Sequence, residues 1–279
     1  MEQWQHWTEK DARMYLATPL DSDDKYSRGV LGVIAGSTQY PGAAVLACEG
    51  AMRTGVGMVR YLGPQIARNL VLTHRPEVVI RDGQVQAWCI GSGIEADHIG
   101  WRRKRSIRGK LAQRMPVVLD AGGLSLLPHM RGPVLITPHY RELSALLNAA
   151  GVQVGSGDIK NDPKKWARLA ADAFHVTVLL KGNTTYVVSK DREIELPPAP
   201  AWLATAGTGD VLAGILGALL ATHAEEIIQQ PEYLCAIAAT GSLIHSRAAD
   251  IASHGGPLSA LSLAHAIPKV ISDLLDNRM

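Results

Sequence analysis

Short apolar runs rich in β-branched residues alternate along this chain with longer segments whose apolar positions recur at helical spacing. Val30-Leu31-Gly32-Val33-Ile34-Ala35, with Gly29 and Gly36 on either side, is the clearest of the first kind. A run with no polar face predicts a strand buried on both sides, as in a parallel sheet. The same pattern predicts strands over 55–61, 76–80, 86–90, 116–120, 134–137 and 176–180, and a hairpin of 184–188 with 193–196 around Ser189-Lys190-Asp191. Helices are predicted over 8–17, 43–53, 107–113, 141–150, 164–174, 210–221, 231–252 and 259–275. Strands alternating with helices imply an α/β fold, a three-layer αβα arrangement with a largely parallel central sheet. With no biased linker and no internal repeat, 1–279 reads as a single domain.

Composition narrows the classes of function. Hydrophobic residues make up 47% of the chain, enough for a sizeable core, and the net charge of +2 gives no reason to expect nucleic acid. Arg102-Arg103-Lys104-Arg105, with Arg108 and Lys110, is a local basic cluster and reads as a solvated face. Cys48, Cys89 and Cys235 are far apart and each lies in an apolar stretch, which predicts buried thiols in a reducing compartment and neither disulfides nor a metal site. The polar start of the chain and the lack of a long pure apolar run point to a cytoplasmic protein without a membrane segment.

Polar chemistry gathers where ligands sit in parallel sheets, beyond the carboxyl ends of the predicted strands. Gly36-Ser37, Gly91-Ser92-Gly93, Asp120, Thr137-Pro138-His139 and Lys181-Gly182 each follow one strand. The most telling stretch is Ala204-Thr205-Ala206-Gly207-Thr208-Gly209-Asp210, which opens directly into an apolar helix. A helix start offers free N–H groups and a positive dipole end to an anion, and Asp210 there is placed either to accept a proton beside a bound phosphate or merely to cap the helix. Lys181, Gly182, Asn183, Thr184 and Thr185 form either a nucleotide contact or an exposed turn. His245, mid-helix among apolar neighbours, reads as a core residue or one supporting the site. The chain has no Gly-x4-Gly-Lys-Ser/Thr pattern, so any nucleotide is held without a P-loop.

These motifs together identify a family. Lys25-Tyr26-Ser27-Arg28-Gly29, Ala35-Gly36-Ser37 through Leu46-Ala47, Arg53-Thr54-Gly55-Val56-Gly57, Thr137-Pro138-His139 with Glu142, Leu180-Lys181-Gly182 and Gly207-Thr208-Gly209-Asp210 resemble the ADP/ATP-dependent NAD(P)H-hydrate dehydratases of the ribokinase-like superfamily, over about 25–271. The resemblance implies a ribokinase-like domain and a repair reaction, in which hydrated NADH or NADPH is dehydrated at the expense of ADP or ATP with Mg²⁺. It implies Asp210 as the base and Gly207, Thr208 and Gly209 as the anion hole. Lys181, Gly182, Asn183, Thr184, Thr185 and Gly209 would hold the nucleotide, and Ala43, Gly93, His139 and Asp210 the hydrated dinucleotide. It further implies a homo-oligomer, often a tetramer, with any epimerase a separate protein. The chain departs from the family pattern in four places. Pro200, Trp202 and Leu203 stand where Asn-x-Gly-Met is usual, Ala206 replaces a glycine, Ser92 replaces a proline, and Gly122 replaces an aspartate. A conventional small-molecule kinase of the same superfamily and a non-catalytic nucleotide-binding regulator are the alternatives.

Overall fold

The computed structural model describes residues 4–95 and 101–276, and for 101–104 the backbone alone. The strands are β1 (Gln5–His6), β2 (Val30–Ile34), β3 (Met58–Tyr61), β4 (Ala87–Ile90), β5 (Val117–Leu119), β6 (Val134–Ile136), β7 (Thr177–Leu180), β8 (Tyr186–Val188) and β9 (Glu193–Glu195). They form one sheet in the order β1-β9-β8-β7-β6-β5-β4-β2-β3. All pairings from β3 to β7 are parallel, β8 runs antiparallel to both β7 and β9, and β1 joins β9 in parallel. The helices are α1 (Glu9–Arg13), α2 (Gly42–Thr54), α3 (Gln65–His74), α4 (Trp101–Leu111), α5 (Tyr140–Ala149), α6 (Ser156–Asn161), α7 (Pro163–Phe174), α8 (Thr208–Thr222), α9 (Ala224–Gln229), α10 (Tyr233–Ser253) and α11 (Ala260–Asp276).

Strand residues alternate between two cores. Leu31, Val33, Ala87, Cys89, Val118, Leu135 and Leu179 pack into a core with α2, α8, α10 and α11. Val30, Ile34, Trp88, Ile90, Val117, Leu119, Ile136, Val178 and Leu180 pack into another with α4, α5, α6 and α7. That two-residue period, with both faces apolar, is why these strands read as continuous hydrophobic runs. Among the described residues no helix is long and apolar enough to cross a membrane.

The structure differs from the sequence expectations at several elements. Residues 76–80 are no strand, because only Val79 bridges β3, at Arg60. α3, α6 and α9 have no counterpart in the predicted pattern. β1 arises from two polar residues and is drawn into order by the open edge of β9. α1 stops at Arg13, well short of residue 17. The basic run falls in α4, and the side chains of Arg102, Arg103 and Lys104 lie outside the described residues. The three cysteines are buried and unpaired, as expected.

Candidate active site

The parallel strands end nearly level, with Ile34 beside Ile90, Ile90 beside Leu119, and Leu119 beside Ile136. The polar residues that follow each strand therefore arrive along one edge of the sheet. His139 and Lys181 are themselves bridged in parallel there.

Asp120 is the hub. It is 4% exposed. One carboxylate oxygen accepts from Thr137 Oγ1 at 2.8 Å and from Lys181 Nζ at 2.8 Å, and the other accepts from Ser92 Oγ at 3.0 Å. Lys181 also lies 3.8 Å from Glu142. Burial works against the charge of this ammonium, yet Asp120, Glu142 and Asp210 outweigh it and raise its pKa. Asp120 was legible only as an acid ending a strand, and Thr137, Glu142 and Ser92 only as polar residues at strand ends or a helix start.

α8 begins at Thr208 after Gly207, whose φ of 89° is left-handed. At that φ an L side chain is strained, and a Cβ would in addition lie 2.6 Å from Leu46 Cδ1. Ala206 is not among the described non-glycine residues with positive φ, so its replacement of a glycine costs the turn little. The Thr208 hydroxyl donates to Leu203 O and Thr205 O, both at 2.9 Å, and its amide reaches Thr205 O at 3.4 Å. Among the described residues the amides of Gly209 and Asp210 have no backbone acceptor, as a helix's first turn dictates. Gly209 is thus the more available donor and Thr208 the brace. His245 of α10, buried, bonds Thr208 O through Nε2 at 2.8 Å. Burial, and secondarily the nearby Lys181, lower its pKa to about 4, so the ring is neutral and serves as structural support.

A cavity of about 620 Å³ opens beside this helix start, within the size range of small-molecule sites. Its wall includes Lys181, Gly182, Asn183, Thr185 and Gly209, together with a proline-rich rim at Pro197, Pro198 and Pro200. Thr184 is not on the wall. His139 is, with a side chain 52% exposed. It caps α5: Glu142 N donates to its Nδ1 at 3.1 Å, and Glu142 Oε2 accepts from His139 N at 2.8 Å. Ala43 and Gly93 meet elsewhere, in a second cluster where the 91–93 turn presses on the start of α2. A Cβ on Gly93 would lie 2.5 Å from that of Ala43 and 2.9 Å from Tyr40 O. The predicted site residues therefore fall in two groups, with His139 in the group around the cavity.

Asp210 is not on the cavity wall. It faces Ser92, Asp120 and Lys181, on the side of the 91–93 turn. Burial first, and the Asp120 charge second, lift its pKa from 3.8 to about 6, against the pull of Ser92 and Lys181. A carboxylate so placed can accept a proton near pH 6, beside a helix start whose first amides have no backbone acceptor among the described residues.

The family profile described as NAD(P)H-hydrate dehydratase matches residues 31–269. A bifunctional NAD(P)H-hydrate repair enzyme from Corynebacterium glutamicum is 36% identical, over 90% of this chain and 48% of its own length. An ADP-dependent (S)-NAD(P)H-hydrate dehydratase from Neisseria meningitidis is 32% identical, over 88% of this chain and 85% of its own. The chain thus spans about half the length of the bifunctional curated relatives it matches. Among solved structures, the ADP/ATP-dependent NAD(P)H-hydrate dehydratase from Bacillus subtilis, co-crystallised with ATP/Mg²⁺, superposes with a TM-score of 0.83 at 25% identity, covering 98% of this chain and all of the other.

Proposed function

Because the chain belongs to the NAD(P)H-hydrate dehydratase family, we propose that it dehydrates the S form of hydrated NADH or NADPH, using ADP or ATP as phosphoryl donor. The observation that carries this reading is Asp210, a carboxylate with a pKa near neutrality set between an anion-binding helix start and the Ala43–Gly93 cluster.

In this reading the cavity takes the nucleotide, with Lys181, Gly182, Asn183 and Thr185 along its wall and Thr184 in the same turn but off it. Gly207, Thr208 and Gly209 form the anion hole around the transferring phosphoryl group. The hydrated dinucleotide lies against Ala43 and Gly93, with His139, on the wall of the nucleotide cavity, as a further contact. Asp210 takes the proton of the hydrate hydroxyl as that hydroxyl's oxygen bonds to the terminal phosphorus and the bond from phosphorus to the bridging oxygen breaks, releasing AMP from ADP or ADP from ATP. The carbon–oxygen bond then breaks, phosphate leaves, and loss of a proton from the adjacent ring carbon restores the ring double bond. The sum is hydrate plus ADP giving NAD(P)H, AMP and phosphate.

Magnesium belongs to the same reading. Among the described residues no three His, Cys, Asp or Glu side chains gather into a metal site. In this reading the ion arrives on the nucleotide phosphates and neutralises their charge. A homotetramer, on family resemblance, and a cytoplasmic location, on the three buried and unpaired cysteines, complete the proposal.

The test is absorbance of the reduced-nicotinamide band after mixing the protein, Mg²⁺, the hydrate and either nucleotide. Recovery of the band names both reaction and donor, whereas a stable phosphorylated product without it would favour a kinase. Asp210→Asn keeps the shape and removes the base, so turnover should fall at least a hundredfold while ADP binding is retained. Turnover close to the unsubstituted protein's would remove Asp210 from the mechanism.

A further inference from the structure

Ser92 is fully buried, and its hydroxyl carries one proton between two carboxylates. It donates to Asp120 Oδ2 at 3.0 Å, and Asp210 lies within its hydrogen-bonding reach. The two acids are not equally in need of it. Asp120 already receives Thr137 Oγ1 and Lys181 Nζ, both at 2.8 Å. Asp210 is near Lys181, since a Cβ on the adjacent Gly209 would lie 3.8 Å from Nζ, but that ammonium is engaged by Asp120. When Asp210 ionises, the Ser92 hydroxyl is the donor that Asp120 can spare, because Thr137 and Lys181 remain on it, and it can turn toward Asp210. The turn cannot drift, because Ser92 O accepts from Gly36 N at 2.7 Å and Gly93 is wedged against Ala43.

We propose that Ser92 is a positioning residue for Asp210, its hydroxyl swinging from Asp120 to hold the ionised base in place for proton abstraction. The proposal rests on the reading of Asp210 as base. A proline at this position, as the family resemblance leads one to expect, has no hydroxyl, so the device rests on this chain's serine and not on the family pattern. The other titratable groups around Asp210 do not substitute for Ser92. Asp120 on the β5 end repels it and Lys181 on the β7 end is shared. Cys89 on β4 is a thiol that burial keeps protonated, and His245 on α10 is kept neutral. From α2 and α11, Leu46 and Ala260 meet this helix start with apolar side chains.

The experiment is the pH profile of kcat/KM for Ser92→Ala with the hydrate and ADP. The acid limb should move up by about half to one pH unit. The variant then loses several-fold at pH 6 and recovers to within about twofold at pH 8.5. An equal loss at every pH would mean that Ser92 only shapes the turn, and no loss at all would mean that its hydroxyl is idle; either overturns the proposal. A second readout does not need catalysis. The difference in melting temperature between a protein and its Asp210→Asn counterpart, followed against pH, reports the titration of Asp210 directly. That titration should lie higher when both members also carry Ser92→Ala, and an unmoved titration overturns the proposal even if activity has changed. If Asp210→Asn retains turnover, the base reading fails separately. Ser92→Gly, which also lacks the hydroxyl, serves in place of Ser92→Ala should that variant misfold.

Discussion

At Asp210 the requirements of stability and chemistry oppose one another. Its folded pKa of about 6 lies above the unfolded value of 3.8. The folded state is therefore favoured where the carboxyl is protonated, and that advantage is lost as pH rises from about 4 through 6. Asp210→Asn should stabilise the protein above pH 7 by on the order of 2–3 kcal/mol while abolishing turnover, read by denaturant titration at pH 5 and pH 8. With Asp210 in its proposed role as base, kcat/KM of the unsubstituted protein should fall as pH drops through about 6, where the carboxylate becomes protonated. His245, with a pKa lowered to about 4, pulls the other way: the unfolded imidazole binds a proton that the folded one refuses, so stability is lost as pH falls from 6.5 to 4. Lys181 faces a different balance. Lys181→Met would leave Asp120 buried with two hydroxyl donors and no cation, a loss of about 3 kcal/mol at pH 7 and of ADP affinity with it. Unchanged melting in that variant would show that Asp120 does not need its partner.

Among the elements, α2 and α8 govern the site's rigidity. A Cβ on Gly214 would lie 2.1 Å from Ala47 O, and one on Gly50 2.4 Å from Val211 O. The two helices, one leading in with Ala43 and the other with Asp210, pack backbone against backbone. Alanine is the better helix former by about 1 kcal/mol, but at position 214 it would collide with main chain that cannot swing aside. Gly214→Ala should therefore destabilise by about 1–3 kcal/mol and weaken turnover, checked by melting and kinetics together. A gain in stability would mean that the helices can part. Both helices were legible in the sequence, as was the Gly-Thr-Gly-Asp start of α8. α3 was not, because Ala67 and Val71 are its buried residues while Ile66 and Leu70 are exposed, so apolar side chains point both ways and the periodicity is lost. The strand expected over 76–80 failed for a related reason. Val78 and Val79 are apolar, but past β3 there is just one bridge to make.

For the molecule as a whole, the sequence predicted where the site lies better than how it is wired. Parallel strands must end on a common edge, so His139, Lys181 and Asp120 could be gathered from their positions after apolar runs. That Ser92 stands between Asp120 and Asp210 depends on the β4–β5 register and on the seating of α8, which no local pattern encodes. The far edge of the sheet carries a different obligation. Trp7, 1% exposed, follows β1 and stacks near Tyr15, with the Arg192 guanidinium over its ring. Trp7→Ala should cost about 3–5 kcal/mol despite its distance from the catalytic edge, measured by chemical denaturation. This strand has its hydrogen-bonding partner in β9, and Gln5 meets Arg192 across 187 positions of chain. During synthesis, at about 5–20 residues per second, this segment waits roughly ten to forty seconds for the hairpin that receives it. Until that hairpin exists Trp4 and Trp7, both buried in the finished fold, lack the edge that covers them, and for that interval they are apolar surface a cotranslational chaperone can hold.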